Sequence, residues 1–240
     1  MKNMIHLVTC LLLFGATPQS LSAATSPVAI KHIDAHYDVF KDGIKVATMA
    51  EIYTGKPSGY RIESTTAATG LLARIKAEVI HTVSKGVVSR RGLRPLTYSQ
   101  DRKLDTERNV HADFDWKTGH ITLTDRTGKH ILPLFAGTQD RLSAMYQFTI
   151  APPKGVAELS FNMTNGSKVD EYSYLVTPNQ SVTVPLGTFK ALYLASPTQP
   201  GKSKTEIWLA TEQGYFPYKM TITEPDGGQF TQVLTKISFE

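Results

Sequence analysis

Residues 33–50 read IDAHYDVFKDGIKVATMA, and this stretch decides the class of fold. Apolar residues alternate with polar ones before the pair Asp42-Gly43, and the alternation resumes after it. A period of two is typical of a half-buried β-strand, and Asp-Gly between two such strands is a strong signal for a tight hairpin. The stretch therefore predicts two antiparallel strands. On the second strand, we expect one face to carry Ile44, Val46, Thr48 and Ala50.

The same pattern continues to the end of the chain, where short runs of β-branched and aromatic residues are separated by turn residues. The clearest turns are Gly55–Gly59, Lys85-Gly86, Lys117–Gly119, Asn165-Gly166 and Pro225–Gly228. Asn-Gly predicts a type I′ hairpin turn. Many short strands with frequent turns indicate an antiparallel meander that curls into a barrel. We therefore expect a mainly β protein: a single antiparallel curved sheet or partly open β-barrel with one or two short helices.

Two segments interrupt the strand pattern. Helical spacing relates Leu142, Met145, Tyr146 and Thr149. This spacing predicts a helix over 138–148, with Thr138 as its N-cap and Asp140 in its first turn, where the helix dipole favours an anion. Pro152-Pro153 stops it. Residues 67–75 fit either a short helix or a strand followed by a loop, and the sequence leaves both open.

The first 24 residues have the features of a cleavable signal peptide, which leaves residues 25–240 as a single β-rich domain. Lys2 supplies the positive charge, residues 7–16 form the apolar core, and Ser22-Ala23-Ala24 offers the small residues that a signal peptidase reads. The apolar core is too short to span a bilayer. We expect a periplasmic mature chain with no transmembrane segment.

Composition excludes several classes of function. The single cysteine, Cys10, lies in the predicted signal peptide, so the mature chain has no thiolate chemistry and no disulfide. The formal net charge is +5, and both signs are interspersed, which predicts no nucleic-acid partner. The histidines lack the spacing of a metal site, and nucleotide-binding and serine-hydrolase motifs are absent from the sequence. We therefore expect no metal, no cofactor and no catalytic residue.

Six short motifs follow one another along the chain. They are GLRPL at 92–96, DFDW at 113–116, TQDRLS at 138–143, PLGTF at 185–189, TEIWLA at 205–210 and GYFP at 214–217. With this ordered set, the chain resembles the bacterial family known as domain of unknown function 3108, from about Tyr37 to Lys236. The resemblance implies an exported, mainly antiparallel β domain of a Gram-negative bacterium, and it implies no activity. By analogy of fold, the architecture is similar to the periplasmic lipoprotein carriers, in which a curved sheet wraps a helix and encloses an apolar cavity.

Charged and apolar residues around the predicted helix form a candidate ligand site. Asp140 or Arg141 could form a partly buried ion pair with Glu206 or Arg94, which would fix the helix on the sheet. Alternatively, the same groups hold a polar head group at the mouth of a cavity whose apolar side chains face a tail. A filled core fits the sequence equally well. The candidate ligand-binding residues are Arg94, Asp140, Arg141, Leu142, Met145, Tyr146, Glu206 and Trp208.

Three functions fit these observations. The first is a periplasmic carrier for an amphiphilic or lipid-like envelope ligand, which predicts a cavity of at least roughly 300 Å³. The second is an envelope interaction protein that pairs with a partner protein through a sheet edge. The third is an envelope hydrolase with an unmarked carboxylate pair, either Asp113 with Asp115 or Asp140 with Glu206. We favour the carrier and expect a protein that is not an enzyme.

Overall fold

The computed structural model describes residues 31–89 and 91–240, so the predicted signal peptide and Cys10 lie outside the described residues. The strands are β1 His32–Lys41, β2 Ile44–Lys56, β3 Gly59–Ala68, β4 Val79–Ser89, β5 Gly92–Arg102, β6 Val110–Asp115, β7 His120–Asp125, β8 Gly128–Pro133, β9 Gln139–Asp140, β10 Glu158–Thr164, β11 Val169–Val184, β12 Gly187–Ala195, β13 Lys204–Ala210, β14 Phe216–Thr223 and β15 Gln229–Phe239. The α-helices are α1 Gly70–Ile75 and α2 Arg141–Ile150. Neither helix is long and apolar enough to cross a membrane.

All of these strands belong to one open sheet of 15 strands, in the order β8-β7-β6-β5-β4-β3-β2-β1-β15-β14-β13-β12-β11-β10-β9. Neighbours pair antiparallel, apart from β9, which runs parallel to β10. The strands β1 and β15 pair in the middle, so each half of the chain forms one arm of the sheet. The predicted mainly β fold, an open antiparallel sheet with two short helices, is confirmed.

The longer helix, α2, lies inside the curve of the sheet. It contacts β3, β4 and β5 on one arm, and β10 and β14 on the other. Tyr146 stacks on Tyr53 of β2 with ring centroids 5.6 Å apart, and it meets Phe216 of β14 edge-on at 5.5 Å. Aromatic pairs of this geometry add stability beyond the area that they bury. The helix therefore joins the two arms through a shared core.

The hairpin of β1 and β2 forms as predicted. However, the side of β2 that faces the core is opposite to the face that carries Thr48 and Ala50. Val39 pairs with Ala47 whereas Phe40 pairs with Lys45, so Val46 is an additional residue in a β-bulge. A shift of one residue moves the pattern of side chains to the other face of the sheet. Beyond the bulge, the inward side of β2 carries Ala47, Met49, Glu51 and Tyr53. The bulge thus places a glutamate in the core.

The predicted hairpin at Asn165-Gly166 also forms, but its turn is not type I′. Residues 165–168 connect β10 to β11, and Gly166 has a φ of +95° while Asn165 does not have a positive φ. A type I′ turn needs two positive φ angles. Instead, Asn165 Oδ1 accepts hydrogen bonds from the backbone N–H groups of Ser167 and Lys168, at 3.0 and 3.1 Å. The Asn165 side chain thus supports this turn together with a backbone hydrogen bond from the Asn165 N–H to the Lys168 carbonyl at 3.4 Å.

Residues 67–75 contain both alternatives that the sequence leaves open. The strand β3 ends at Ala68, and α1 then covers Gly70–Ile75 without burying any of its residues. None of these residues belongs to either buried core cluster, so the segment contributes nothing to the core around α2.

Candidate functional site

The N-terminus of α2 is fixed by Asp140, which is fully buried and is the N-cap in place of the predicted Thr138. Its Oδ1 accepts hydrogen bonds from the backbone N–H groups of Leu142 and Ser143, at 2.9 and 2.8 Å. The Ser84 hydroxyl of β4 donates to Oδ2 at 2.6 Å. Burial raises the pKa of Asp140 to about 6, and these hydrogen bonds oppose that rise. Asp140 therefore joins the helix to the sheet.

An apolar groove of about 540 Å³ opens beside the second half of α2. It is formed by the turn between β4 and β5, the end of β6, residues 136–139, α2 and β10. The lining residues are Ser89, Arg91, Leu93, Arg94, Trp116, Ala136, Gly137, Gln139, Ala144, Gln147, Phe148, Ala151, Pro153, Leu159 and Phe161. We call this feature the α2 groove.

Two arginines line the α2 groove, and no acidic residue does. The guanidinium of Arg94 lies over the ring of Trp116, 4.8 Å from the ring centroid. Trp116 is held in place because its Nε1 donates a hydrogen bond to the Pro95 carbonyl at 2.6 Å. Neither Arg91 nor Arg94 forms an ion pair with a residue in the described ranges. The groove therefore combines apolar walls with uncompensated positive charge.

Gln147 of α2 fixes the backbone of residues 91–93 in the wall of the groove. Its Oε1 accepts a hydrogen bond from the Leu93 N–H at 2.6 Å, and its Nε2 donates to the Arg91 carbonyl at 3.0 Å. Gly92 lies between these contacts with a φ of +105°, and a Cβ there would lie 2.2 Å from Gln147 Oε1. The backbone angle favours glycine, and a larger residue would also have to displace the amide of Gln147. The start of the motif GLRPL is thus fixed against α2 through its backbone.

A smaller cavity of about 210 Å³ lies beside the first half of α2, on the inner side of β1–β5. Its lining residues are Tyr37, Met49, Glu51, Ser64, Thr66, Ile80, Thr82, Tyr98, Gln100, Arg141, Leu142, Met145, Tyr146, Phe216, Pro217, Lys219, Met220 and Gln232. We call this feature the Glu51 chamber.

Glu51 is the acidic residue among those that line the chamber, and its exposed fraction is 6%. Burial raises the pKa of Glu51 to about 7, while the nearby hydroxyls of Ser64 and Tyr146 act in the opposite direction. Burial of a carboxyl disfavours its charged form unless a cation or hydrogen bonds compensate. Glu51 was not among the candidates from sequence, because the bulge at Val46 hides its inward orientation.

Glu206 and Trp208 lie apart from both cavities. Their neighbour Ile207 belongs to a buried cluster with Phe148 of α2. Trp208 is partly buried against the other core cluster, which includes Leu142 and Tyr146 of α2, and its ring centroid lies 5.0 Å from that of Tyr193. Glu206 accepts a hydrogen bond from the Tyr193 hydroxyl. Neither Glu206 nor Trp208 is among the residues that line the two cavities, and a ligand-binding role for them stays a prediction.

The structure divides the eight candidate residues among four places. Arg94 lines the α2 groove, Asp140 caps α2, and Glu206 and Trp208 lie on β13 outside both linings. The remaining four, Arg141, Leu142, Met145 and Tyr146, line the Glu51 chamber. Among the described residues, Asp140 and Arg141 form no ion pair with Glu206 or Arg94. The ion pair that the sequence left open is thus not formed among these residues, and the Ser84 hydroxyl connects Asp140 to β4.

The carboxylates considered for hydrolysis have structural partners. Asp113 Oδ1 contacts His111 Nε2 at 3.0 Å, and Asp115 Oδ1 accepts hydrogen bonds from the N–H groups of Lys117 and Thr118. In residues 31–89 and 91–240, no three His, Cys, Asp or Glu side chains come together in a way that could hold a metal ion.

The curved sheet around a helix places the chain among β-barrel-like proteins. More particularly, the chain belongs to the family described as "Protein of unknown function (DUF3108)", whose model matches residues 33–235. It is similar to a solved structure, the "Beta-barrel-like Protein of Domain of Unknown Function DUF1849 from Brucella abortus". The TM-score is 0.57 at 14% sequence identity, and the match covers 89% of this chain and 99% of that chain. At this identity the likeness shows the fold alone. No curated protein matches the chain in sequence.

Proposed function

We propose that the protein is a periplasmic binding or carrier module that holds an anionic amphiphile in the α2 groove. The observation that carries the proposal is an apolar groove of about 540 Å³ with two unpaired arginines in its lining. Ligand sites typically have volumes of roughly 300–1,000 Å³ and mostly apolar walls with a few polar groups. The groove has this size and this composition. The periplasmic location rests on the predicted signal peptide.

The two ends of such a ligand would contact different parts of the groove. A carboxylate or phosphate head would lie at Arg91 and Arg94, because guanidinium groups form charge-assisted hydrogen bonds with planar or tetrahedral anions. An acyl tail would pack on Phe148, Leu159 and Phe161, where burial of apolar surface stabilises the complex. The groove therefore offers separate contacts for the head and for the tail of an amphiphile.

The edges of the sheet give less support to the alternative of strand pairing with an envelope partner. The edge strand β8 has six residues, includes Lys129 and ends at Pro133. At the opposite edge, β9 has two residues. Short strands, lysine and proline are features that protect an edge from pairing. The carrier therefore remains the function that the geometry supports best.

We expect the mature protein to bind a dansyl-labelled fatty acid, measured by fluorescence titration. Arg94→Gln should weaken this binding by about tenfold, since a guanidinium–anion hydrogen bond contributes roughly 1.5–3 kcal/mol and the ligand keeps its contact with Arg91. Raising the salt concentration should reduce the difference between the wild type and Arg94→Gln.

Arg74→Gln is the matched control, because Arg74 is exposed on α1 and outside the groove. It makes the same change of charge and should leave binding unchanged. The labelled fatty alcohol of equal length should bind the wild type and Arg94→Gln equally. Native mass spectrometry of gently purified protein, followed by organic extraction, would identify the natural ligand. The carrier proposal fails if the wild type binds neither probe, and the arginine assignment fails if both arginine variants behave alike.

A further inference from the structure

The short helix α1 has the reverse of the usual polarity of a surface helix. Its large side chains point to solvent: Leu71 and Ile75 are 73% and 76% exposed, and Leu72 is also exposed. The small Ala73 is the residue of α1 that is half-buried. A surface helix normally turns its large apolar residues towards the core and its polar residues towards water. The fold of the protein therefore does not account for the aliphatic face of α1.

Two further aliphatic residues are exposed at the same end of the sheet. The Thr69 N–H donates to the Val46 carbonyl at 2.8 Å, which places the start of α1 beside the hairpin that contains Ile44. Beyond the helix, the Leu104 N–H donates to Glu78 Oε1 at 3.1 Å. Ile44 and Leu104 are both exposed. We call the residues Ile44, Leu71, Leu72, Ile75 and Leu104 the α1 patch.

Most acidic residues around the α1 patch are already paired. In residues 38–45, 74–78 and 103–108, each acidic residue contacts a lysine, apart from Glu107, which lines a separate cavity with residues of β5, β6 and β7. The ion pairs are Lys41 with Asp42, Lys45 with Asp38, Lys76 with both Glu78 and Asp105, and Arg108 with Asp105. Local carboxylates are therefore compensated by local cations.

Two cations in the same segments have no anionic partner. Arg74 and Lys103 are exposed and form no ion pair within the described part of the chain. Arg74 follows Leu71 by three residues, so the two share one side of the helix. Aliphatic side chains beside unpaired cations are typical of surfaces that bind anionic lipid, where the aliphatic groups enter the acyl boundary and the cations contact the headgroups. We propose that the protein docks on anionic phospholipid bilayers through the α1 patch.

The size of the α1 patch favours a bilayer over a protein partner. A stable protein interface involves about 20–30 residues on each side, which is far more than the five aliphatic residues of the patch. Binding to a bilayer depends instead on the apolar area that enters it and on attraction to anionic headgroups. A few projecting aliphatic side chains with neighbouring cations are therefore enough for reversible docking.

The α1 patch and the α2 groove lie at opposite ends of β4. The segment after α1 leads into Val79, where β4 begins, whereas Ser89 at the end of β4 lines the groove. At ~3.3 Å per residue, the two ends of this strand are on the order of 30 Å apart. A docked protein therefore holds the groove away from the bilayer surface. Docking does not depend on the proposed carrier function.

Flotation of the mature protein with phospholipid vesicles tests the inference. We expect binding to vesicles of equal parts phosphatidylglycerol and phosphatidylcholine, and about tenfold weaker binding to vesicles of phosphatidylcholine alone, because lysine and arginine near an anionic surface add affinity. Raising the salt concentration should weaken binding to the mixed vesicles.

Ile75→Gln should weaken binding to the mixed vesicles about fivefold, and Leu71→Gln combined with Ile75→Gln should weaken it at least about tenfold, since less apolar surface enters the bilayer. Ile131→Gln is the matched control, because Ile131 is 68% exposed on β8, outside the α1 patch. It should bind vesicles as the wild type does. No residue of α1 is buried and glutamine is a good helix former, so the double variant should keep the thermal stability of the wild type.

No binding of the wild type to the mixed vesicles, or equal binding of Ile75→Gln and Ile131→Gln, would overturn the inference. Light scattering in solution tests a second copy of the chain as the partner: a wild-type dimer that becomes a monomer in the double variant would also overturn it. The double variant should bind the dansyl-labelled fatty acid as the wild type does. A failure of docking and a failure of the carrier proposal are therefore distinguishable.

Discussion

Replacing Asp140 with alanine is expected to lower the free energy of unfolding by about 2–4 kcal/mol at pH 6. The change removes the acceptor for the N–H groups of Leu142 and Ser143, and loss of an N-cap alone typically costs about 1 kcal/mol. It also leaves the buried Ser84 hydroxyl without its acceptor, which adds roughly 1–3 kcal/mol. Urea unfolding followed by circular dichroism measures the loss.

Asp140→Asn separates the hydrogen bonds from the charge. An amide oxygen can still accept from the two helix N–H groups, so we expect Asn to destabilise the protein by less than about 1 kcal/mol. Thr138→Ala tests the N-cap that the sequence suggests. It should cost less than Asp140→Ala, because the Thr138 hydroxyl donates to the Phe135 carbonyl whereas Asp140 caps the helix N–H groups. Equal losses for Asp140→Ala and Thr138→Ala would contradict the assignment of Asp140 as the cap.

The consequences of a lost cap extend to both cavities, because α2 forms one wall of each. Ser84 connects Asp140 to Tyr60, whose hydroxyl lies 3.2 Å from the Ser84 hydroxyl. Tyr60 is in turn stacked with Tyr53, which packs on Tyr146. A helix that frays at Asp140 therefore loosens the aromatic contacts beside the Glu51 chamber. Ligand binding in Asp140→Ala should weaken together with stability.

The alternation of apolar residues was sufficient to predict the class of fold, and the spacing of Leu142, Met145 and Tyr146 was sufficient to locate α2. Both are local signals, since the periods of two and 3.6 residues follow from backbone geometry. The orientation of β2 could not be predicted in the same way. A single additional residue at Val46 reverses which side chains face inward, and the bulge itself leaves no mark in the pattern. This reversal brings Glu51, which the sequence pattern does not single out, to the inner side of β2.

The candidate site was only partly predictable, for a different reason. The α2 groove is built from segments that are far apart in sequence, such as Arg91, Trp116 and Phe161, and their proximity depends on the curvature of the whole sheet. Curvature depends on twist and bulges along many strands, and these are not local properties. Trp208, a candidate for the apolar wall of a cavity, packs against the core cluster and the Tyr193 ring but lies outside the lining of both cavities.

The protein is expected to become more stable as the pH falls from 8 to 5, which is the reverse of ordinary acid denaturation. Glu51 has a pKa of about 7 in the folded state, against 4.5 for an unperturbed glutamate. The folded state therefore binds more protons than the unfolded state between these values, so stability decreases as the pH rises through this window. At 1.36 kcal/mol for each pKa unit, Glu51 accounts for a loss of about 2–3 kcal/mol between pH 5 and pH 8.

Glu51→Gln should remove this contribution, so that the variant loses less stability than the wild type between pH 5 and pH 8. The slope that remains in the variant belongs to Asp140, whose pKa is raised from 3.8 to about 6 and which titrates at lower pH. Carboxyl groups with lowered pKa values, such as Glu63 and Glu206, act in the opposite direction only below about pH 4.5, outside the measured range. Thermal unfolding of both proteins at several pH values checks the expectation. Parallel curves for the wild type and Glu51→Gln would mean that Glu51 is ionised in the folded protein at pH 5, and that the chamber is open to water.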